Sequence, residues 1–211
     1  MELTADGRGN VSTYQNRSCQ ERKAFAPIGA SSHATADRVE HDFYATDPIA
    51  IELLLDQMQF SNRVWEPACG DGALSKVLLA HGYEVLSSDL YDHGYGVIDV
   101  DFLENTEPFD GDIVTNPPYK YAAEFVRKAI DTVADGHCVA MFLKLSFLET
   151  KKRRALFEMY PPKYVYVSSS RITCGRNGEF GDFRGEQGAV AYAWFIWEKG
   201  FHGEPIIRWF N

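Results

Sequence analysis

The segment NPPY, residues 116–119, combines a side-chain amide, two prolines and an aromatic ring directly after the apolar run DIVT, residues 112–115. The run predicts a short buried strand, so the segment would form a polar loop at the C-terminal end of that strand. Proline has no N–H group and a fixed φ, which stiffens the loop and leaves the Pro117 carbonyl oxygen able to accept a hydrogen bond. The Asn116 amide oxygen is a second acceptor beside it.

Two acceptors in this arrangement suit a planar amino group as the substrate. The nitrogen lone pair of such a group is delocalised, and hydrogen bonds from both of its hydrogens favour a more pyramidal, nucleophilic nitrogen. The Tyr119 ring would stack on the plane of the same group. The loop therefore predicts alkylation of an amide-like nitrogen, with an ordinary proline turn and a surface tyrosine as the alternative.

A second candidate site lies about fifty residues upstream, where a predicted strand at residues 63–67 leads into the loop ACGDG, residues 68–72, and a predicted helix at residues 73–81. Glycines between a strand and a helix let the backbone approach a ligand and direct helix N–H groups toward its polar end. The GxGxxG spacing of a dinucleotide fingerprint is missing. The pattern indicates a nucleotide-type ligand other than NAD.

Acidic residues follow at two places where such a ligand would need them. Asp89 ends the predicted strand at residues 83–88, about twenty residues beyond the glycine loop, and would accept both ribose hydroxyls. The alternative is that Asp89 caps a turn or helix. Asp101 beside Phe102 suits an adenine amino group with an apolar wall, although Asp99 competes for the polar role.

The segment FYATDP, residues 43–48, precedes a predicted amphipathic helix at residues 49–58. The Thr46 hydroxyl and the N–H groups of the helix start would receive a carboxylate, because that end of a helix carries partial positive charge. Tyr44 would pack on the same ligand. A simple helix cap with Pro48 in the first turn is the alternative.

These segments resemble a set of methyltransferase motifs. EPACGDGALS resembles motif I of S-adenosylmethionine-dependent methyltransferases, in which the acidic residue and the glycines hold the methionine moiety. FYATDP resembles motif X, Asp101-Phe102 motif III, and NPPY the catalytic motif of amino-methyltransferases acting on adenine or, in a protein branch, on glutamine. Their order along residues 43–119 resembles the DNA adenine methyltransferases, especially the small enzymes typical of phages and prophages.

The resemblance implies an α/β class I methyltransferase (Rossmann-like) fold, with a mainly parallel seven-stranded sheet, helices on both faces and a C-terminal antiparallel hairpin. It implies methyl transfer from S-adenosylmethionine to the N6 amino group of a flipped adenine in double-stranded DNA. The implied catalytic residues are Asn116, Pro117, Pro118 and Tyr119. The implied cofactor-binding residues are Tyr44, Thr46, Glu66, Ala68, Cys69, Gly70, Asp89, Asp101, Phe102 and Asn116.

Four other functions are compatible with parts of this pattern. RNA adenine or protein glutamine methylation would use the same loop, although relatives acting on glutamine carry a helical domain before motif I. Cytosine amino methylation more often uses Ser at the position of Asn116. A catalytically inactive acidic protein that mimics DNA is the alternative of another class, and the intact EPACGDG and NPPY segments argue against it.

The remaining pattern predicts one methyltransferase domain at residues 41–211 after a flexible polar arm at residues 1–40. Larger relatives carry a separate target-recognition domain, for which we expect no room here. The further predicted elements are helices at residues 122–133 and 150–160, strands at 137–144, 164–167 and 190–197, and a glycine- and arginine-rich insertion at 168–188.

The net charge of −9 opposes phosphate binding unless positive charge is concentrated locally. The residues expected to contact DNA are Lys151, Lys152 and Arg153 in a basic run and Arg171, Arg176 and Arg184 in the insertion. A solvated helix face and a loop are the alternative for these clusters.

Phe147 is expected to face Tyr119 across the flipped base.

The composition, with 45% hydrophobic residues in 211, is sufficient for one sizeable core. No apolar run is long enough to span a bilayer, and residues 1–10 lack the apolar centre of a signal peptide, so we expect a cytoplasmic protein. The resemblance to phage and prophage enzymes implies a bacterial or phage-infected host cell. The 4 cysteines and 6 histidines have no ligand spacing, which predicts free thiols and no metal.

Overall fold

The computed structural model of the protein describes residues 45–170, 172, 174–175 and 190–210. The predicted arm at residues 1–40 and most of the predicted insertion lie outside the described residues. The described strands are β1 (Ala45–Thr46), β2 (Arg63–Glu66), β3 (Glu84–Ser87), β4 (Asp112–Thr115), β5 (Cys138–Lys144), β6 (Tyr164–Ser168), β7 (Cys174–Gly175), β8 (Tyr192–Glu198) and β9 (Ile206–Phe210). The described helices are α1 (Ile49–Leu55), α2 (Ala73–Ala80), α3 (Ala122–Thr132) and α4 (Lys151–Met159).

Seven of these strands form one sheet in the order β3-β2-β4-β5-β8-β6-β9. The pairs β2–β3, β2–β4, β4–β5 and β6–β9 are parallel, whereas β8 runs antiparallel to both of its neighbours, β5 and β6. The predicted mainly parallel seven-stranded sheet with a C-terminal antiparallel hairpin is thus confirmed. Edge strand β9 was not predicted from the sequence.

Helices cover both faces of the sheet. Alternate residues of β5 point into two separate apolar clusters, with Val139 and Met141 in one and Ala140 and Phe142 in the other. The first cluster includes buried residues of α3 and α4, and the second includes buried residues of α1 and α2. Burial on both faces explains why the central strands read as continuous apolar runs.

The predicted helix boundaries differ slightly from those observed. The helix predicted to reach residue 133 ends at Thr132, because Val133 adopts an extended conformation and forms a parallel bridge with Phe109. Helix α1 ends at Leu55, three residues earlier than predicted. Within the described ranges, no helix is both long and apolar enough to cross a membrane.

Parallel strands end at the same edge of a sheet, and this arrangement positions the predicted chemistry. Strand β2 ends at Glu66, β3 is followed directly by Ser88 and Asp89, and β4 is followed by Asn116. The three predicted ligand segments therefore meet at one edge.

Helix α1 is fastened to the sheet by a buried hydrogen bond. The indole Nε1 of Trp194, which is fully buried in β8, donates to the Ala50 carbonyl over 2.8 Å. We expect Trp194→Phe to lower the free energy of unfolding by about 2 kcal/mol, because it removes this bond and leaves space in the core. Trp209→Phe, at a side chain that is 68% exposed, is the matched control and should change stability by less than about 0.5 kcal/mol in urea denaturation.

Candidate active site

A cavity of about 700 Å³ opens at the C-terminal edge of the sheet, within the range of about 300–1,000 Å³ typical of small-molecule sites. The predicted catalytic and cofactor-binding residues that line it are Thr46, Glu66, Ala68, Cys69, Gly70, Asp89, Asp101, Phe102, Asn116, Pro117, Pro118 and Tyr119. Tyr44 lies outside the described residues. All the other residues predicted for these two roles from the sequence are therefore brought to one cavity.

The glycine loop between β2 and α2 is held against the end of β3. Gly70 and Gly72 have φ values of 52° and 79°, which glycine adopts with little strain. The Gly70 N–H donates to Asp89 Oδ2 over 2.9 Å, and the Cys69 N–H donates to the Ser88 carbonyl over 3.0 Å. A Cβ atom on Gly72 would lie 2.4 Å from the Tyr95 ring, so a side chain there would displace the ring and would be strained at this positive φ.

Asp89 caps a turn, which was the alternative interpretation of the sequence, and it also holds the glycine loop. Besides accepting the Gly70 N–H, it accepts the Tyr91 N–H at Oδ1 over 3.0 Å. Each carboxylate oxygen has two lone pairs, so both can accept a further hydrogen bond from a ligand hydroxyl. Asp89 can therefore accept these two backbone N–H groups and still bind the ribose hydroxyls, as predicted.

Glu66 is buried at the end of β2 with an exposed fraction of 2%. It accepts hydrogen bonds from the backbone N–H of Ser75, over 2.9 Å, and from the Ser75 hydroxyl. Burial raises the pKa of this carboxyl to about 8, in spite of the bonds from Ser75, and the negative charges of Asp71 and Asp89 act in the same direction. A cationic ligand in the cavity would favour the ionised form of Glu66.

Cys69 is a small buried residue of the loop. Burial raises the pKa of its thiol to about 12, with further contributions from the nearby charges of Glu66 and Asp89. The thiol is therefore protonated at neutral pH and is a poor nucleophile. Among the described residues, no group of three or more His, Cys, Asp or Glu side chains is arranged to hold a metal ion.

The charge of the cavity lining is predominantly negative. Apart from Glu66, which keeps its proton at neutral pH, its acidic residues are Asp71, Asp89, Asp101 and Glu104, and its basic residues are Lys120 and His93. A concave surface with an excess of carboxyl groups concentrates cations.

Asp101 and Phe102 form one wall of the cavity. Asp101 Oδ1 accepts the Leu103 N–H over 2.9 Å and so caps the 3₁₀ turn Phe102–Glu104. The Phe102 ring is 2% exposed and packs edge-on against Trp65 with a centroid distance of 5.2 Å. Asp99, the competing candidate, is not among the residues that line the cavity.

The NPPY segment leaves β4 and turns at once into the 3₁₀ turn Tyr119–Tyr121. The Tyr121 N–H donates to the Pro118 carbonyl over 2.9 Å. The Asn116 Nδ2 donates to Thr46 Oγ1 over 2.8 Å, which joins the NPPY segment to β1. This contact between two predicted site residues 70 positions apart was not predicted from the sequence.

Lys144 lies beside the predicted base-stacking residue. Its Nζ is 4.7 Å from the centroid of the Tyr119 ring, and the Tyr192 ring is 6.1 Å from the same centroid. No role for Lys144 was predicted from the sequence. Its place at the C-terminal end of a predicted central strand is the signal that would have indicated it.

The structure does not bring Phe147 to the cavity. The ring is 4% exposed and packs in the core between Phe157 and Phe195, each at a centroid distance of 5.6 Å. The 3₁₀ turn Leu145–Leu148 places it in the apolar cluster that includes Phe195 of β8, and it is not among the residues that line the cavity. In this arrangement its ring cannot face a base stacked on Tyr119.

The basic run at the start of α4 divides into two kinds of residue. Lys151 and Lys152 are exposed. The Arg153 guanidinium donates to the carbonyls of Ser146 and Phe147 over 3.0 and 3.3 Å, so it stabilises the preceding turn. The remaining predicted DNA contacts, Arg171, Arg176 and Arg184, lie outside the described residues.

Several solved structures with similar folds are described as methyltransferases. A protein from Listeria monocytogenes assigned to the class I S-adenosylmethionine-dependent methyltransferases matches with a TM-score of 0.57 and 13% identity, covering 82% of this chain and 67% of that one. A predicted O-methyltransferase from Agrobacterium tumefaciens matches with a TM-score of 0.54 and 13% identity, covering 78% and 85%.

A third match is a modification subunit assigned to a type I restriction enzyme of Vibrio vulnificus, with a TM-score of 0.53 and 15% identity. It covers 82% of this chain and 46% of that one, so the chain spans about half the length of that subunit. No protein-family model and no curated protein matches the sequence. The matches to solved structures show that the protein has the Rossmann-like class I methyltransferase fold.

The buried carboxyl predicts how stability depends on pH. The pKa of Glu66 is about 8 in the folded protein against 4.5 for an ordinary glutamate, so the folded state retains a proton that the unfolded chain loses. The free energy of unfolding should therefore fall by roughly 3 kcal/mol between about pH 5 and pH 8 through this group. Glu66→Gln should remove that dependence in urea denaturation at several pH values. Glu124→Gln, the same substitution at an exposed position, should retain it.

Proposed function

We propose that the protein transfers a methyl group from S-adenosylmethionine to the N6 amino group of a flipped adenine in double-stranded DNA. One observation carries the proposal: the glycine loop after β2 and the NPPY segment after β4 line the same cavity. A cofactor held by the loop would have its reactive end close to a substrate amino group held by Asn116. The class I methyltransferase fold supports the choice of cofactor.

The cavity lining fits this cofactor. S-adenosylmethionine carries a sulfonium and an ammonium group, and the excess of carboxyl groups along the cavity favours such a cation. Asp89 would accept the ribose hydroxyls, and Asp101 with Phe102 would contact the adenine. When bound, the cofactor supplies an electrophilic methyl group.

The protein's own residues would activate and hold the substrate. The Asn116 amide oxygen and the Pro117 carbonyl would each accept one hydrogen of the adenine amino group, aligning its lone pair for attack. Tyr119 would stack on the base. Because the amino nitrogen attacks directly, no enzyme nucleophile is needed, which agrees with the protonated thiol of Cys69.

The distribution of charge supports a nucleic acid substrate. Lys120 lines the cavity and the Lys144 Nζ lies 4.7 Å from the Tyr119 ring, while Lys151 and Lys152 begin α4, the next helix after β5. An adenine amino group inside a duplex must be flipped out to be reached, and lysines at the mouth would contact the flanking phosphates. A similar fold in a restriction-modification subunit agrees with DNA as the substrate.

The test is transfer of radiolabelled methyl from S-adenosylmethionine to unmethylated duplex DNA, with RNA and protein extract in parallel and nucleoside analysis of the product. Methyl-adenosine from DNA is the expected result. Label in RNA or protein would retain the chemistry and reject the DNA substrate, and no transfer to any of the three would reject the proposed function.

Asn116→Ala separates binding from catalysis. We expect its maximal rate to fall by about 100-fold or more, because an acceptor for the transition state is lost. Its affinity for S-adenosylmethionine, measured by calorimetry, should stay within about threefold, a range smaller than the loss of one hydrogen bond. Unchanged turnover would contradict the assigned role of Asn116.

Lys151 and Lys152 provide the corresponding test for the DNA contact. Replacing both by Gln should weaken binding to any DNA sequence and lower the slope of log affinity against log salt by roughly 1 to 2, since each lost phosphate contact contributes about 0.9. Arg154→Gln is the matched control, because Arg154 already pairs with Glu158 at 2.7 Å. An equal effect of the control would show that the contact is not local to the two lysines.

A further inference from the structure

The Asn116 amide can act as proposed in only one of its two orientations. Its oxygen accepts hydrogen bonds and its nitrogen donates them. Rotation by 180° about the terminal bond exchanges the two and would place N–H donors against the N–H donors of the substrate amino group. Something must therefore select the orientation in which the oxygen faces the substrate.

The hydroxyl of Thr46 is placed to make this selection. Its Oγ1 accepts the Asn116 Nδ2–H over 2.8 Å, and the Thr46 side chain is 4% exposed. A hydroxyl has one hydrogen and two lone pairs, so it can serve either end of an amide until its hydrogen is given to another acceptor. A carboxylate accepts only, and once it takes the hydrogen, Oγ1 can only accept from Asn116.

Thr46 is itself held from both sides. On one side β1 pairs with β7, with Thr46 opposite Cys174 and Ala45 opposite Gly175. On the other side Asp47 begins α1, where its Oδ1 accepts the Ile49 N–H over 3.0 Å. A β-branched side chain on a backbone fixed in this way has few rotamers, which makes its hydroxyl a well-defined partner.

We propose that Thr46 is a positioning residue that holds the Asn116 amide with its oxygen toward the substrate, and that a ligand carboxylate taking the Thr46 hydrogen locks this orientation. The inference rests on the proposed function, since the carboxylate is that of the methionine moiety. It assigns Thr46 an effect on the rate of transfer in addition to any effect on cofactor affinity.

Three variants separate these effects. Thr46→Val keeps the shape and removes the hydroxyl, Thr46→Ser restores it, and Thr115→Val is the matched control. Thr115 is buried in β4, one residue from Asn116, and its hydroxyl has no hydrogen-bond partner among the described residues.

With DNA and cofactor both saturating, kcat should fall by about tenfold in Thr46→Val, the effect of one lost hydrogen bond. It should stay within about twofold of wild type in Thr46→Ser and Thr115→Val, where that bond is kept. A Thr46→Val enzyme with a raised KM for the cofactor and an unchanged kcat would reduce Thr46 to a cofactor ligand and overturn the proposal.

A second measurement does not depend on activity. In protein labelled with ¹⁵N-asparagine, solvent exchange of the Asn116 side-chain amide should be about five- to tenfold faster in Thr46→Val than in wild type, since one hydrogen bond is lost. S-adenosylhomocysteine, which carries the carboxylate, should slow exchange in wild type and in Thr115→Val but not in Thr46→Val. Equal exchange in all variants would overturn the proposal.

The two measurements also separate failure of this inference from failure of the proposed function. Absence of methyl transfer by the wild-type protein rejects the function, and the amide exchange then decides the Thr46–Asn116 contact on its own. If Thr46→Val does not fold, Thr46→Ala removes the same hydroxyl with less crowding and is measured in its place.

Discussion

Parallel pairing of β2 with β3 and β4 is the constraint on which the site depends. The register places Glu66 beside Ser87 and Trp65 beside Ile113, so the three strands end close together at one edge. A slip of one residue would turn the side chains of β2 to the opposite face and separate the glycine loop from Asp89. The hydrogen bond from the Gly70 N–H to Asp89 forms only in this register, because it joins the loop after β2 to the residue that follows β3.

Charge is distributed unevenly around that edge, and the division agrees with the two partners of the proposed reaction. Acidic side chains, among them Asp71, Asp89, Asp101 and Glu104, line the cavity where a cationic cofactor would bind. Lysines follow β4 and β5, where an anionic backbone would pass. The net charge of −9 therefore says little about nucleic acid binding by itself, because electrostatic recognition depends on local potential.

Several residues were assigned from residue type alone, and there the tertiary structure led to a different account. Phe147 was expected beside the substrate because it is aromatic and follows a strand, but an apolar ring is also what a core requires, and the turn after β5 carries it inward. Arg153 belongs to a basic run, yet its guanidinium satisfies backbone carbonyls that the turn leaves exposed. Which of several similar side chains faces solvent depends on turn geometry that local patterns do not specify.

The sequence by itself determined the α/β architecture and most strand positions, because apolar periodicity and strand-to-loop transitions are local properties of the chain. Its motifs, through their resemblance to methyltransferase motifs, also indicated residues that line the cavity. Tertiary structure alone decided the contacts between distant segments: Asn116 with Thr46, Asp89 with Gly70, and Lys144 over Tyr119. It also added β9, which pairs with β6 from the C-terminal end of the chain. Such pairings depend on how strands are ordered in the sheet, and a linear pattern carries no distance information of that kind.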